Sequence, residues 1–328
     1  MKLRGAISGF GEVAARGHLP GWLTRPDVNI VAVHEPVAAR REVAMRTLSG
    51  VRIYDDLGLM LDGESPDFVD IASPPAFHAG AIRASLEAGA HVLCEKPLCL
   101  DLAQFDALAK LAGDRQRILM CVHNWKHAPP FQVAHSLLTS GRLGQLRFVS
   151  INRLRTEPAG GAGKWRSATG SGGGILIDHG WHAFYLAQWL MDAAPRSVSA
   201  ALGYHEDLDD VADIRMVFPH DRIAQIHLSW HAPVRRTSTM LYGEGGMLEI
   251  DGDRIILTDR SGKLEDLSVS DAPDDSYHSA WFGRMAEEFT CAIERGTSGS
   301  NLVEARTTLD LIEASRRSAS SGETVDIR

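Results

Sequence analysis

The sequence lacks any uninterrupted apolar run of the roughly 18 residues that a membrane-spanning helix needs. Its first residues, Met1–Ile7, lead directly into a strand pattern, without the apolar region and cleavage site of an export signal. Cysteine is scarce, and the four residues are Cys94, Cys99, Cys121 and Cys291. They form no C-x-x-C pair and no metal-type spacing, which is typical of buried thiols in a chain of this size. We therefore expect a cytoplasmic protein with no membrane contact and no metal site.

Positive charge is also in deficit. The 34 lysines and arginines are outnumbered by 42 aspartates and glutamates, so the formal net charge is -8. A polyanion would be repelled by this balance unless basic residues clustered strongly, which argues against a nucleic-acid partner. Hydrophobic residues make up 44% of the chain and charged residues 23%, as in an ordinary folded protein. A length of 328 residues exceeds what one hydrophobic core comfortably supports, so we expect two domains.

The first third of the chain alternates short β-branched runs with segments of helical periodicity. The predicted strands are Leu3–Ser8, Asn29–His34, Phe68–Ala72, His91–Cys94 and Ile118–Val122. The predicted helices are Val37–Leu48, Phe77–Ala88 and Leu102–Ala112. Brief apolar runs bounded by turn residues are typical of buried parallel strands. Strands that alternate with helices predict a parallel sheet covered on both faces, which is an α/β domain.

The rest of the chain follows a different pattern, in which many strands are joined by short turns. Helices are predicted at Phe131–Thr139, Ala280–Glu294 and Leu302–Ala319, and the apolar run Ile175-Leu176-Ile177 followed by Phe184, Leu186, Ala187 and Leu190 indicates a further helix. The predicted strands are Leu146–Leu154, Ser197–Leu202, Ile214–Phe218, Ile223–Trp230, Ser238–Tyr242, Met247–Ile250, Arg254–Thr258, Leu264–Val269 and Thr324–Ile327. Several of these strands alternate apolar and polar residues, which is typical of a sheet with one face packed against the protein and the other exposed to solvent. We predict an α/β domain over residues 1–123 and an α+β domain over residues 124–328 with a large, mostly antiparallel sheet.

A glycine-rich motif, Gly9-Phe10-Gly11-Glu12-Val13-Ala14, follows the first predicted strand and opens a helix. In such a turn the first glycine makes the bend and the second lets the backbone approach a pyrophosphate, which binds at the helix start. Glu35 ends the second strand, where a carboxylate accepts ribose hydroxyls and repels a 2′-phosphate. A structural turn and a solvated glutamate are the alternatives. We favour a Rossmann domain that binds NAD, or else NADP, through Gly9, Phe10, Gly11, Glu12, Val13 and Glu35.

Unusual residues follow the next three predicted strands. Ser73-Pro74 follows the third strand, Glu95-Lys96-Pro97 the fourth and His123-Asn124 the fifth. Ligands of open parallel sheets bind outside the carboxyl ends of the strands. We therefore add to the predicted cofactor site the residues Ser73, Pro74, Glu95, Lys96 and Asn124.

Three polar residues are candidates for the chemistry. Lys96 is held by the following proline, and a partly desolvated lysine can share a proton, although a surface ion pair is the alternative. Asp178 and His182 are four residues apart on a predicted helix, so the carboxylate can fix the tautomer of a histidine base. An ordinary helix pair is the alternative. We predict that His182 takes the proton of a secondary alcohol, with Asp178 orienting it and Lys96 bonding to the same oxygen.

Taken in order, these motifs resemble the Gfo/Idh/MocA oxidoreductase family, which includes inositol dehydrogenases and glucose-fructose oxidoreductases. The matching pieces are Gly9-x-Gly11-x-x-Ala14 with His18, Ser73-Pro74-Pro75-x-x-His78, Glu95-Lys96-Pro97, Trp165-Arg166, Gly172–Gly174 and Asp178-x-Gly180-x-His182. The resemblance implies a nicotinamide-linked enzyme for sugars, sugar acids or cyclitols, with an open-faced sheet that often pairs subunits into a homodimer or homotetramer. It also implies that His78 lies in the cofactor site, that Trp165 and Arg166 lie near nicotinamide or substrate, and that Lys96, Asp178 and His182 are catalytic.

Some residues depart from the pattern that the resemblance implies. Lys126 stands where the family commonly has arginine, and Tyr185 where an aspartate often follows the histidine. These departures leave the substrate open. Two other functions stay open as well: glycoside cleavage through transient oxidation by a tightly held NAD, and a nucleotide-binding sensor without catalysis.

Overall fold

The computed structural model describes residues 2–158, 172–270 and 277–327. The chain forms two compact units. The first comprises Met1–His127 and Asp274–Ala305, and the second comprises Ala128–Pro273 and Arg306–Arg328. The sequence pattern placed everything after residue 123 in one domain, whereas the structure groups Asp274–Ala305 with the first unit.

The sheet of the first unit has six strands, all parallel, in the order β3-β2-β1-β4-β5-β6. The strands are β1 (Leu3–Ser8), β2 (Val28–His34), β3 (Arg52–Tyr54), β4 (Phe68–Ile71), β5 (His91–Cys94) and β6 (Leu119–Cys121). This order confirms the predicted Rossmann domain, because 3-2-1-4-5-6 is the strand order of that fold. Ligands of such sheets bind at the carboxyl ends of the strands, where the order reverses. The sequence did not predict β3, an edge strand of three residues with no buried position.

Helices cover this sheet. They are α1 (Leu19–Leu23), α2 (Ala38–Thr47), α3 (Leu57–Glu64), α4 (His78–Glu87), α5 (Leu102–Asp114) and α8 (Ser279–Arg295). Aromatic packing explains why α8 belongs to this unit. The Trp22 ring lies 4.7 Å from the Phe68 ring and 5.7 Å from the Phe282 ring, and Phe289 is fully buried in the same core. The apolar face of α8 is therefore part of the core of the first unit. Burying one such side chain contributes roughly 1.5–3 kcal/mol to stability.

The second unit contains a nine-stranded sheet in the order β14-β13-β12-β11-β7-β10-β9-β8-β15. The strands are β7 (Leu146–Leu154), β8 (Ser197–His205), β9 (Leu208–Val217), β10 (Ile223–Ser229), β11 (Arg236–Gly243), β12 (Gly246–Asp251), β13 (Arg254–Asp259), β14 (Leu264–Asp266) and β15 (Val325–Asp326). Only the β7–β10 pair is parallel among these described strands, which confirms the predicted antiparallel character. The helices of the second unit are α6 (Pro129–Thr139) and α7 (Trp181–Met191). The boundary between the two units at Ala305 falls within α9 (Asn301–Ser321).

Within the described ranges, no helix has both the length and the apolar character needed to cross a membrane. The four cysteines are free thiols, and Cys94, Cys99 and Cys121 are buried. Burial raises the pKa of Cys94 and Cys121 well above the usual range, so these thiols stay protonated and inert.

Candidate active site

The glycine-rich turn after β1 has the geometry that a dinucleotide requires. Gly9 has φ +91°, and a Cβ atom there would lie 2.7 Å from the backbone nitrogen of Ser73, so only glycine fits. A Cβ atom on Gly11 would meet nothing within 4 Å, which leaves the backbone uncovered where a pyrophosphate would approach. A π-helical turn, Val13–His18, then leads into α1. These features fit NAD, whose phosphates the backbone of Gly9–Val13 would hold.

Glu35 follows β2 and braces this turn. The Phe10 N–H donates to Oε2 of Glu35 at 2.7 Å, and the Val37 N–H donates to Oε1 at 2.9 Å. The side chain is 2% exposed. The predicted partners of Glu35 are the ribose hydroxyls, and these hydrogen bonds give the carboxylate a second role in fixing the turn. The two roles are compatible, because each carboxylate oxygen has a further lone pair to accept a hydroxyl.

His78 links the turns that follow β4 and β5. Its Nε2 atom lies 2.7 Å from the carbonyl oxygen of Ser73, and its Nδ1 atom lies 2.6 Å from that of Pro97. Burial lowers the pKa of His78, so the neutral ring donates to one of the two carbonyls at a time. Two of the predicted cofactor-binding segments are thus tied together by one buried ring.

His18, Asp70 and Glu95 form a buried network of charged groups next to Lys96. His18 Nδ1 is 3.0 Å from both carboxylate oxygens of Asp70, and its Nε2 is 3.0 Å from Oε1 of Glu95. Asp70 also accepts a hydrogen bond of 2.7 Å from the indole N–H of Trp22. The His18 ring stacks on Phe282 with a centroid distance of 3.8 Å. With carboxylates at both nitrogens, the ring donates from both and carries a positive charge.

The titration of this network follows from the same contacts. Burial by itself lowers the pKa of His18, but the charge and hydrogen bond of Asp70, followed by those of Glu95, outweigh it and raise the pKa to about 9. Burial raises the pKa of Glu95, but the hydrogen bond and charge of His18 outweigh that effect and lower it. Glu95 is therefore an anion at neutral pH. Its Oε2 accepts the backbone N–H of Lys96 at 3.1 Å, and Lys96 is only 8% exposed.

The segment after β6 is anchored by α9. Asn301 accepts the backbone N–H of Cys121 at 2.8 Å and donates to its carbonyl at 3.0 Å. Lys126 forms an ion pair with Glu304. Burial raises the pKa of Glu304, but the nearby His123 and Lys126 lower it to about 2. This anchoring fixes the turn Asn124–His127, which contains the predicted cofactor residue Asn124.

In the second unit, the start of the helix that carries His182 is fixed by a glycine and an aspartate. Gly174 has φ +108°, and a Cβ atom there would lie 2.1 Å from Oδ1 of Asp209. Oδ2 of Asp209 accepts the backbone N–H of Leu176 at 2.9 Å. Gly174 is therefore needed for the close approach of the backbone to Asp209. It leads into the π-helical turn Leu176–Gly180 and then into α7.

The predicted base His182 is oriented by Tyr185. His182 Nδ1 lies 2.9 Å from the hydroxyl oxygen of Tyr185, which is fully buried. When Nδ1–H donates to this oxygen, Nε2 is the unprotonated nitrogen and can accept a proton. Asp178 is 4% exposed and lies in the turn before α7, with Oδ2 3.7 Å from Nε2 of His179. Asp178 was the residue predicted to orient His182, whereas Tyr185 was noted only as a departure from the pattern that the resemblance implies.

The structure places most of the predicted site residues, and it adds contacts that the sequence did not indicate. The first unit brings together Gly9, Ser73, His78, Glu95 and Lys96, and the second unit holds Asp178 and His182. Trp165 and Arg166 lie outside the described residues. Asp70 could have been found, because a carboxylate inside a fully buried strand needs a partner. Tyr185 carried a weaker signal, its position three residues after His182 on a helix.

The first unit has the fold of a dinucleotide-binding α/β domain, and comparison with known proteins agrees. Residues 3–123 match the family model described as an oxidoreductase family with an NAD-binding Rossmann fold. Residues 131–249 match the model for the GFO/IDH/MocA C-terminal domain. The chain belongs to the GFO/IDH/MocA oxidoreductase family, and it is an enzyme with an NAD-binding domain.

Individual relatives carry sugar-related names. The D-glucoside 3-dehydrogenase of Escherichia coli is 31% identical over 60% of this chain, and the matched region spans 57% of that relative. The inositol 2-dehydrogenase of Rhizobium meliloti is 24% identical over the whole of both chains. The crystal structure of aldose-aldose oxidoreductase from Caulobacter crescentus, complexed with glycerol, has a TM-score of 0.88 at 22% identity and full coverage of both chains. The last comparison confirms the predicted two-domain fold.

Proposed function

We propose that the protein oxidises a secondary alcohol of a sugar, sugar acid or cyclitol, or reduces the corresponding ketone, with a nicotinamide cofactor. The observation that carries the proposal is the pairing of buried His182 with the hydroxyl of Tyr185, which makes Nε2 the proton acceptor when Nδ1–H donates to that oxygen. The names of two relatives, D-glucoside 3-dehydrogenase and inositol 2-dehydrogenase, support this substrate class, since each denotes oxidation of a ring hydroxyl.

Each residue has a defined part in the proposed reaction. His182 takes the hydroxyl proton on Nε2, and the ammonium of Lys96 serves as a hydrogen-bond donor to the substrate. Asp178, next to the start of α7, favours the positive charge that His182 gains. Bound NAD supplies the hydride acceptor. A positioned base of this kind contributes about 10²–10⁴-fold, and fixed orientation supplies much of the rest.

We also propose that NAD is preferred over NADP. The support is the buried carboxylate of Glu35 beside the glycine-rich turn, since a negative charge there repels a 2′-phosphate. The structure shows what holds this carboxylate in place, namely the N–H groups of Phe10 and Val37.

A panel of sugars and cyclitols tests the proposal. Purified enzyme is mixed with NAD and each compound, and NADH formation is followed by absorbance. We expect stoichiometric NADH release with at least one compound and its loss in His182→Ala. Sugar conversion without NADH release, with cofactor that co-purifies, would instead favour the cleavage mechanism. Binding of NAD without any conversion across the panel would favour a sensor.

We further propose that the enzyme is a homo-oligomer that associates through the open face of its second sheet. On β10 the exposed Gln225 lies between the buried residues Ala224 and Ile226, so this face remains accessible in a single chain. Tyr242 on β11 is 37% exposed. Light scattering should give a mass of two or four chains, and Tyr242→Lys should lower it. A monomeric mass for the unmodified protein would contradict the proposal.

A further inference from the structure

The side chain of Arg41, on helix α2, reaches back to the carboxyl end of β2. Its Nη1 atom donates to the carbonyl oxygen of Glu35 at 3.0 Å and to that of Pro36 at 2.8 Å. Glu35 directly follows β2, and its carboxylate accepts the N–H of Phe10 in the glycine-rich turn. The guanidinium of Arg41 is thus held against the main chain of the residue whose carboxylate contacts the predicted cofactor turn.

The local sequence fixes this position of Arg41. Helix α2 begins at Ala38, and the backbone N–H of Arg41 donates to the carbonyl oxygen of Val37 at 3.0 Å. A long side chain on a helix points toward the helix start, so that of Arg41 covers the turn between β2 and α2. Arg41 is partly buried there, whereas the preceding Arg40 is exposed. Arg41 is therefore a fixed part of this turn and not a solvated surface arginine.

The contacts of Arg41 and Glu35 keep their opposite charges on separate partners. The two carboxylate oxygens of Glu35 accept the N–H groups of Phe10 and Val37. The two hydrogen bonds of Arg41 start from Nη1 and end on carbonyl oxygens, which are neutral acceptors. A guanidinium carries five N–H groups in one plane, and these two bonds do not use those on Nη2 and Nε. The turn after β2 therefore presents a carboxylate and a positively charged donor group at one sheet edge.

This edge is where the adenosine end of a dinucleotide is recognised. In a Rossmann sheet, the acidic residue that ends the second strand contacts the 2′-hydroxyl of the ribose, and an arginine near it accommodates a 2′-phosphate. The chain has both residue types at this place, as Glu35 and Arg41. A planar guanidinium matches the oxygens of a phosphate, and such charge-assisted bonds are about twice as strong as neutral ones.

We propose that Arg41 is a second determinant of cofactor choice, which binds the 2′-phosphate of NADP and NADPH and opposes the repulsion from Glu35. This inference rests on the proposed function and deepens its preference for NAD, because it assigns the remaining affinity for NADP to one side chain. NAD has no 2′-phosphate, so with NAD the role of Arg41 is limited to holding the carbonyl groups of Glu35 and Pro36.

Fluorescence titration with NADH and NADPH tests the proposal, and the ratio of the two dissociation constants is the readout. Arg41→Met keeps the aliphatic part of the side chain and removes the donors and the charge. We expect NADPH to bind at least tenfold more weakly (~1.4 kcal/mol) and NADH affinity to change by about threefold or less. The substitution is repeated in Glu35→Gln, where weaker repulsion makes NADPH binding easier to measure. A purely structural role in the turn would weaken both nucleotides equally, and that result would overturn the inference.

Two further variants locate the effect on the helix. Arg46→Met is the matched control, because Arg46 is exposed on the same helix and pairs with Glu42 at 3.8 Å, and it should leave both dissociation constants unchanged. A loss of NADPH affinity in Arg40→Met and not in Arg41→Met would overturn the assignment.

The same titrations separate this inference from the proposed preference for NAD. If the unmodified enzyme bound NADPH as tightly as NADH, the preference would be wrong, whereas a selective loss of NADPH binding in Arg41→Met would still support the role of Arg41. Tight NADH binding together with an unchanged ratio in Arg41→Met would overturn the inference alone.

Discussion

The Nε2 atom of His18 lies 3.0 Å from Oε1 of Glu95, the residue directly before the proposed catalytic Lys96. The other nitrogen of the ring contacts Asp70 on β4. One charged imidazole thus joins the central strand β4 to the turn after β5. Because Glu95 also accepts the backbone N–H of Lys96, the position of the lysine depends on this ring.

The His18 network makes stability depend on pH on the alkaline side. The folded-state pKa is about 9 against 6.5 for an ordinary histidine, so the stabilisation is complete below pH 6.5 and is lost as the pH rises through 9. The full difference corresponds to about 3 kcal/mol of unfolding free energy. Urea unfolding between pH 6 and pH 9.5 should show this decline, on the order of that magnitude.

His18→Gln serves as the comparison, because it keeps an amide donor and cannot titrate. We expect the variant to be less stable at pH 6 and to show a flatter pH profile. We also expect a larger change in kcat than in KM. Loss of the His18 ring displaces Lys96, whereas the cofactor turn stays intact. Parallel pH profiles for the two proteins would show that His18 is not the titrating group.

Tyr185 should contribute to catalysis through His182. Tyr185→Phe removes the hydroxyl at 2.9 Å from Nδ1 but keeps the buried ring, so the histidine loses its orienting partner. We expect kcat to fall by roughly 3–10-fold, against about 10²–10⁴-fold for His182→Asn. The pH profile of kcat should shift in Tyr185→Phe as well. Tyr204→Phe, which alters an exposed tyrosine on β8, is the control and should leave both parameters unchanged.

Much of this arrangement could be predicted from sequence, because the motifs are local. The Gly9-x-Gly11 turn, Glu35 and the Glu95-Lys96 segment each follow a strand whose apolar run marks its end, and parallel strands bring such ends to one edge. The network of His18, Asp70 and Glu95 joins residues 52 and 77 positions apart, and no periodicity reports such a contact.

The burial of Arg153 on β7 was missed for a similar reason. Arg153 and Arg155 resemble the solvated ends of a strand when the sequence is considered alone. Their burial becomes visible only when β7 is placed between β11 and β10, with Arg235 across from Arg155. In the same way, the weak strand β3 is held by its pairing with β2, and its own residues give little strand signal.

Glu35 should determine cofactor choice. We expect NAD to bind at least tenfold more tightly than NADP, about 1.4 kcal/mol, and Glu35→Gln to narrow that ratio by removing the charge. Affinity for NAD itself should also fall, because the amide cannot accept from both Phe10 and Val37. Fluorescence titration with NADH and NADPH measures both effects. Glu87→Gln, on the exposed end of α4, is the control, and an unaltered ratio in Glu35→Gln would remove Glu35 from cofactor selection.

Gly9 should be irreplaceable for two independent reasons. Gly9→Ala places a Cβ atom 2.7 Å from the Ser73 backbone and forces φ +91° on an L residue, at a cost of about 1–3 kcal/mol for the backbone alone. Since the neighbouring atoms are backbone, relief requires the turns after β1 and β4 to move apart. We expect a lower unfolding midpoint in urea and loss of NADH binding. Gly80→Ala is the matched control, because its Cβ atom on helix α4 meets nothing within 4 Å, and it should stabilise the protein by about 0.5–1 kcal/mol. If Gly9→Ala bound NADH with unchanged affinity, the close approach between Gly9 and Ser73 could not be what shapes the cofactor turn.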